Sequence, residues 1–212
     1  MTVENLIFLS LSVFVLIVMG IRKKRFRHPY LLIFVLLLSV NSIFYIPVNL
    51  WISLAFMLIL LGDIFISNYF ELLVPAVVCF FLAHFLYSFG IWDTSFDFRF
   101  LLLFSALAFI VSYGIFLVLG YKPDLPFAMK AIFLIYSMVI SFSLGVSFTR
   151  LISSLSLKNA LIAFGSVCFF ITDMLVGYDI LYDVDRKNLT WSFYTPALII
   201  WNISPFLIDN NI

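Results

Sequence analysis

Charge is scarce in this chain. Only 11% of its 212 residues are Asp, Glu, Lys or Arg, where a soluble domain carries about 25%. So few solvated side chains cannot coat a globule of this size. That excludes a soluble enzyme, a disordered chain and a nucleic-acid binder. Cysteine is scarce too, with two residues, and so is glycine, with eight. Cys79 and Cys168 each lie inside an apolar run. With no CxxC and no Cys/His cluster, both read as buried thiols, not as a disulfide or a metal site. What the chain does have is 65% hydrophobic and 19% aromatic residues. They fall in long continuous runs, not in the alternation of a barrel strand. The expected fold is an all-α polytopic transmembrane bundle of about eight helices, in a single integral membrane domain over residues 1–212.

Charges, prolines and short polar clusters punctuate the runs into eight spans. They are Glu4–Ile21, Pro29–Ile46, Val48–Ile66, Tyr69–Gly90, Phe98–Gly120, Pro126–Phe148, Lys158–Leu181 and Trp191–Leu207. The first has Glu4 before it, a basic run after it and no small-residue cleavage site, so it reads as a permanent span, not a signal peptide. Short connections make consecutive helices antiparallel neighbours. The basic residues then set the orientation. Arg22, Lys23, Lys24, Arg25, Arg27, Lys122, Lys130, Arg186 and Lys187 fall on one side, and Arg99, Arg150 and Lys158 on the other. Both termini are expected outside the cytoplasm. Short loops and compact length suggest a bacterial inner membrane.

Ionisable residues inside a membrane are costly and are functional candidates. The spans hold Asp63, His84 and Asp173. Lys130 and Asp179 lie near helix ends, within reach of the interface. Each aspartate lies 15 residues into its expected span (63 − 48 and 173 − 158), and both spans are odd-numbered. Equal depth on the basic side follows from the helical rise. The spacing of 110 residues between them hints at a four-helix internal repeat. Helical steps also line up polar stripes: Asn49, Ser53, Asp63 and Ser67; Asn159, Ser166, Asp173 and Gly177; His84, Tyr87 and Ser88; and Trp191, Thr195 and Asn202. Interhelical hydrogen bonding accounts for the Ser, Thr and Asn members. It accounts less well for the aspartates, since such glue need not ionise.

Two carboxyls in a half-apolar cavity can hold one proton between them and serve as general acid and general base. Glycoside and acetal chemistry uses that arrangement. So do aspartic proteases and the proton relays of transporters. An intramembrane aspartyl protease needs Gly-x-Gly-Asp, but Leu60 stands where the first glycine belongs. A catalytic zinc needs about three protein ligands, and the spans supply one histidine.

The motifs together resemble the YhhN-like lysoplasmalogenase family of eight-helix membrane proteins. Leu61-Gly62-Asp63 looks like the family's Leu-Gly-Asp segment, and Ala83-His84-Phe85-Leu86-Tyr87 matches its Ala-His-x-x-Tyr. Tyr136 sits where the family tends to carry a tyrosine in helix 6. Gly165 through Asp173 is similar to its Gly-x-x-x-Phe-x-x-Ser-Asp, with Thr172 keeping the hydroxyl. The departures are His28-Pro29 for Lys-Pro and the lack of an Ala-Gln pair in the last helix. They bear on substrate more than on fold.

The resemblance implies hydrolysis of the vinyl ether of a lysoplasmalogen, giving a fatty aldehyde and a glycerophospho-base. Protonation of the vinyl β-carbon leaves an oxocarbenium-like cation for water to attack. Asp63 and Asp173 are the expected catalytic pair. His84, Tyr87, Tyr136, Thr172, Asn202 and Lys130 are the expected substrate contacts, with Lys130 or the stretch Arg22–His28 near the headgroup phosphate. No cofactor or metal is expected. The partners are the lysophospholipid substrate and the bilayer. The alternative is a proton-coupled small-solute transporter that uses the same aspartates; helices 3 and 7 lack the central prolines that a discontinuous transporter helix favours.

Overall fold

The computed structural model describes residues 3–21, 27–44, 46–67, 72–93, 96–119, 126–182 and 186–208. Among them every regular element is an α-helix. In chain order these are α1 (Val3–Ile21), α2 (Arg27–Ile43), α3 (Leu50–Ile66), α4 (Leu73–Gly90), α5 (Phe98–Leu119), α6 (Phe127–Ser153), α7 (Leu157–Tyr182) and α8 (Lys187–Leu207). A chain this apolar folds so because lipid offers backbone groups no partner, and a helix satisfies them internally. Four of the helices, α4 to α7, are long and apolar enough to cross a membrane, and α1, α2 and α3 are shorter apolar helices. The protein is an all-helical membrane protein.

The boundaries differ from the expected spans in instructive places. α4 begins at Leu73, four residues after Tyr69, with Pro75 in its first turn, where a missing N–H costs nothing. α6 runs on from Phe148 to Ser153, and α8 begins at Lys187 instead of Trp191. The basic residues Arg22 to Arg25 and Lys122, which dominated the orientation count, lie outside the described residues.

The chain divides into two compact units, Met1–Gly90 and Ile91–Ile212. In the first, α2 packs on α1 and α3, and α3 packs on α4. Serines join α2 to α3: Ser39 Oγ donates to the Phe56 carbonyl at 3.1 Å and Ser53 Oγ to the Ser42 carbonyl at 2.6 Å. Asn49 ties α3 to α4. Its Oδ1 accepts the Ile52 N–H at 3.2 Å, capping α3, while its Nδ2 donates to the Gly90 carbonyl at 2.7 Å. Gly90 is needed at that crossing, because a Cβ there would run into the Ile52 side chain.

In the second unit α6 packs on α5 and α7, and α7 packs on α8. Ser112 and Ser141 join α5 to α6 at 3.3 Å, and Ser147 and Ser166 join α6 to α7 at 2.7 Å. Phe169 is fully buried between the rings of Tyr194 and Trp201, at 5.4 and 4.4 Å. Pro205 interrupts the α8 ladder, and Ser204 Oγ donates to the Trp201 carbonyl at 2.7 Å in place of the missing N–H. Each unit thus holds four helices. In the third of each, an asparagine at or near the helix start stands fourteen residues before an aspartate: the N-cap Asn49 before Asp63, and Asn159 in the first turn of α7 before Asp173 (63 − 49 and 173 − 159).

Candidate functional site

Asp173 lies on the buried side of α7 with 9% of its surface exposed. A buried carboxyl needs donors. One comes from α6: the Tyr136 side chain is hydrogen-bonded to Asp173. The phenol O–H is the donor and a carboxyl oxygen the acceptor. The Tyr136 ring is held in turn by the apolar cluster of Ala108, Ile140 and Phe170, against which Leu144 and Met174 also pack. Three helices of the second unit therefore fix one hydrogen bond. Thr172 is buried beside it, but its Oγ1 donates to the Cys168 carbonyl at 2.9 Å. That hydroxyl serves α7's own backbone.

The register of the unit places the other expected residues. Phe133 stands against Gly177, and Tyr136 bonds Asp173, so Lys130 comes level with residues 179–180 of α7. That is about six or seven residues beyond Asp173, roughly 10 Å of rise toward the end of α7. Gly165 packs against Ile200 and Trp201, which sets Asn202 near residue 163. Asn202 is buried, and it lies about ten residues from Asp173 along α7, roughly 15 Å. The unit brings Tyr136 to Asp173 and holds Asn202 at a different level.

In the first unit Asp63 is 7% exposed, three residues before the end of α3. The Phe80 ring of α4 packs on the neighbouring Gly62, with ring atoms 3.0 Å from where a Cβ would stand. Together with the Asn49–Gly90 bond this fixes the α3–α4 register. His84 comes level with residue 58 and Tyr87 with residue 55, about 7 Å and 12 Å of rise from Asp63. Both are buried, and the His84 carbonyl accepts from Ser88 Oγ at 2.7 Å.

Two polar sites escaped sequence reasoning. Arg150, counted above as a loop charge, is 8% exposed. Its Nε donates to Asn159 Oδ1 at 2.9 Å and its Nη1 to the Ile91 carbonyl at 3.0 Å. Arg186, also counted for topology, folds over Tyr178 with 4.2 Å between guanidinium carbon and ring centroid. The signal for both was a charge next to a short turn, which sequence alone reads as solvated.

Helices with buried carboxyls inside apolar spans define the class: a polytopic membrane protein with ionisable groups held in its interior. The YhhN family model matches residues 23–202, most of the 212, and the chain belongs to the YhhN family. That family is associated with lysoplasmalogenase hydrolase activity. No curated protein and no solved structure matches the chain.

Proposed function

We propose that this protein is a membrane-embedded ether hydrolase that cleaves the vinyl ether of a lysoplasmalogen to a fatty aldehyde and a glycerophospho-base. The observation that carries the reading is the buried Asp173 carboxyl bonded to the Tyr136 hydroxyl, in a chain of the YhhN family. Such a carboxylate, oriented and kept from water, can stabilise an oxocarbenium-like cation and take a proton from the attacking water. Asp63, buried in α3, is assigned the acid role, protonating the vinyl β-carbon. Water adds to the cation to give a hemiacetal; its bond to the glycerol oxygen then breaks, the hemiacetal hydroxyl losing a proton and the glycerol oxygen gaining one, and the two carboxyls regain their starting states by proton exchange with water. The enzyme sits in a bacterial inner membrane with both termini outside the cytoplasm, and its partners are the lipid substrate and the bilayer.

Aldehyde release from a purified preparation given lysoplasmalogen tests the reading. Asp63→Asn and Asp173→Asn are each expected to abolish release while the protein remains folded. Full activity in either variant sinks the paired-carboxyl mechanism. A wild-type protein that releases no aldehyde sinks the hydrolase.

A further inference from the structure

α7 continues past Asp173 toward an end that carries aromatic and cationic groups together. Tyr178 and Tyr182, one turn apart, stack with ring centroids 4.4 Å apart and planes at 25°. Arg186 places its guanidinium carbon 4.2 Å from the centre of the Tyr178 ring. Its backbone N–H donates to Asp179 Oδ2 at 3.1 Å, so main chain and side chain are both fixed against the helix. Tyr178, Tyr182 and Arg186 are half-buried. A ring face attracts the cation without supplying an acceptor for its N–H fork. The fork is the group best suited to a phosphodiester. Lys130, level with residues 179–180, brings a second cation to the same end of the unit.

Along the helix axis the spacing suits a lysolipid. Tyr178 is five residues past Asp173, about 7.5 Å of helical rise and about 140° around α7, so the lipid would run obliquely across the helix. The rise is close to the extended length from a vinyl ether to the phosphorus of the same glycerophospholipid. We propose that Arg186, seated on the Tyr178–Tyr182 platform, binds the headgroup phosphodiester of the lysophospholipid while Asp173 meets its ether end. The proposal rests on the hydrolase reading for the role of Asp173 but is tested without turnover.

The test is binding to the purified full-length protein in nonionic detergent, read from ligand-induced rises in melting temperature. The probes are a lysophosphatidylcholine, which has an acyl ester and no vinyl ether, a monoacylglycerol of the same chain length, and inorganic phosphate. Wild type is expected to prefer the phosphate-bearing lipid. Arg186→Gln is expected to weaken that lipid by at least about tenfold, the loss of a charge-assisted hydrogen bond, and to leave the monoacylglycerol unchanged. Tyr178→Leu, which removes the platform and keeps the charge, is expected to lower the preference in the same direction. If Arg186→Gln does not fold, Tyr178→Leu decides. Equal loss of both lipids, or no loss of preference, overturns the site. Displacement of the lipid by inorganic phosphate at equal concentration makes the ligand a free anion and overturns the headgroup assignment. Absence of aldehyde release with the lipid preference intact removes the hydrolase and leaves the headgroup site standing.

Discussion

The Tyr136 hydroxyl on α6 is hydrogen-bonded to the Asp173 carboxyl on α7. The tyrosine ring is locked by packing against Ala108, Ile140 and Phe170, so the bond holds Asp173 in one orientation. Tyr136→Phe keeps that packing and removes only the donor. Hydrogen bonds to charged groups contribute about 1.5–3 kcal/mol, so kcat for aldehyde release is expected to fall about 10- to 100-fold with KM little changed. Steady-state kinetics on the purified variant check this. An unchanged kcat makes the bond structural and removes Tyr136 from the mechanism.

The glycines of the second unit give a graded packing test. At Gly165 an added Cβ would stand 2.7 Å from Ile200 Cγ2 and 2.9 Å from Ile200 Cβ. At Gly145 it would stand 2.9 Å from the Ser105 backbone nitrogen, which has less freedom to move than a side chain. At Gly114 nothing lies within 4 Å. Overpacking costs about 1–3 kcal/mol, while alanine in an open helical position gains up to about 1 kcal/mol over glycine. The expected order of melting temperature is Gly114→Ala at or above wild type, Gly165→Ala below it, and Gly145→Ala lowest. Thermal unfolding in one detergent measures all three, and a loss at Gly114 equal to that at Gly145 contradicts the packing described.

Cys79 and Cys168 are free and buried, 8% and 3% exposed. Both are expected to resist a water-soluble maleimide in the folded protein and to react fully after denaturation. Mass spectrometry counts the adducts. Rapid labelling of Cys168 in the native protein contradicts its place in α7, because it lies in a buried stretch beside Phe169 and Phe170.

The fold was legible because lipid makes one demand of every span. Continuous apolar runs placed all eight helices, and the errors fell where polarity was mistaken for an end. The expected sixth span stops at Phe148, short of Arg150, yet Arg150 is buried and bonded to Asn159, and the helix runs on to Ser153. The two aspartates stood out because charge is so rare in the spans. Tyr136 did not, since a tyrosine in an apolar helix has no periodic signature, and only the family resemblance pointed to it. Thr172 and Asn202 show what a stripe leaves open. Both share a polar stripe or a neighbour with the candidates, but one spends its hydroxyl on its own helix and the other sits at another level. Stripe membership gives a side chain's direction, not its partner. Arg186 was hidden for a third reason: it lies eight residues from Tyr178, beyond the end of α7, and no helical spacing encodes its place over that ring.

Arg150 and Asn159 offer the sharpest energetic test of the helix 6 to helix 7 turn. Asn159 Oδ1 accepts from Arg150 Nε at 2.9 Å, and Asn159 Nδ2 donates to the Ser154 carbonyl at 2.8 Å. Arg150 also donates to the Ile91 carbonyl at 3.0 Å. Asn159→Ala therefore strips a buried cation of one acceptor and the turn of a donor. The expected cost is about 1–3 kcal/mol, with the low end favoured because polar bonds in membrane proteins are often weak. Arg150→Met removes the charge and keeps most of the volume. In the double variant the uncompensated cation no longer exists, so its cost is expected to fall short of the sum of the singles by about 1 kcal/mol. Denaturant or thermal unfolding of the four proteins closes the cycle. Additivity within about 0.5 kcal/mol means that the two side chains act independently, and the turn is then held by its backbone alone.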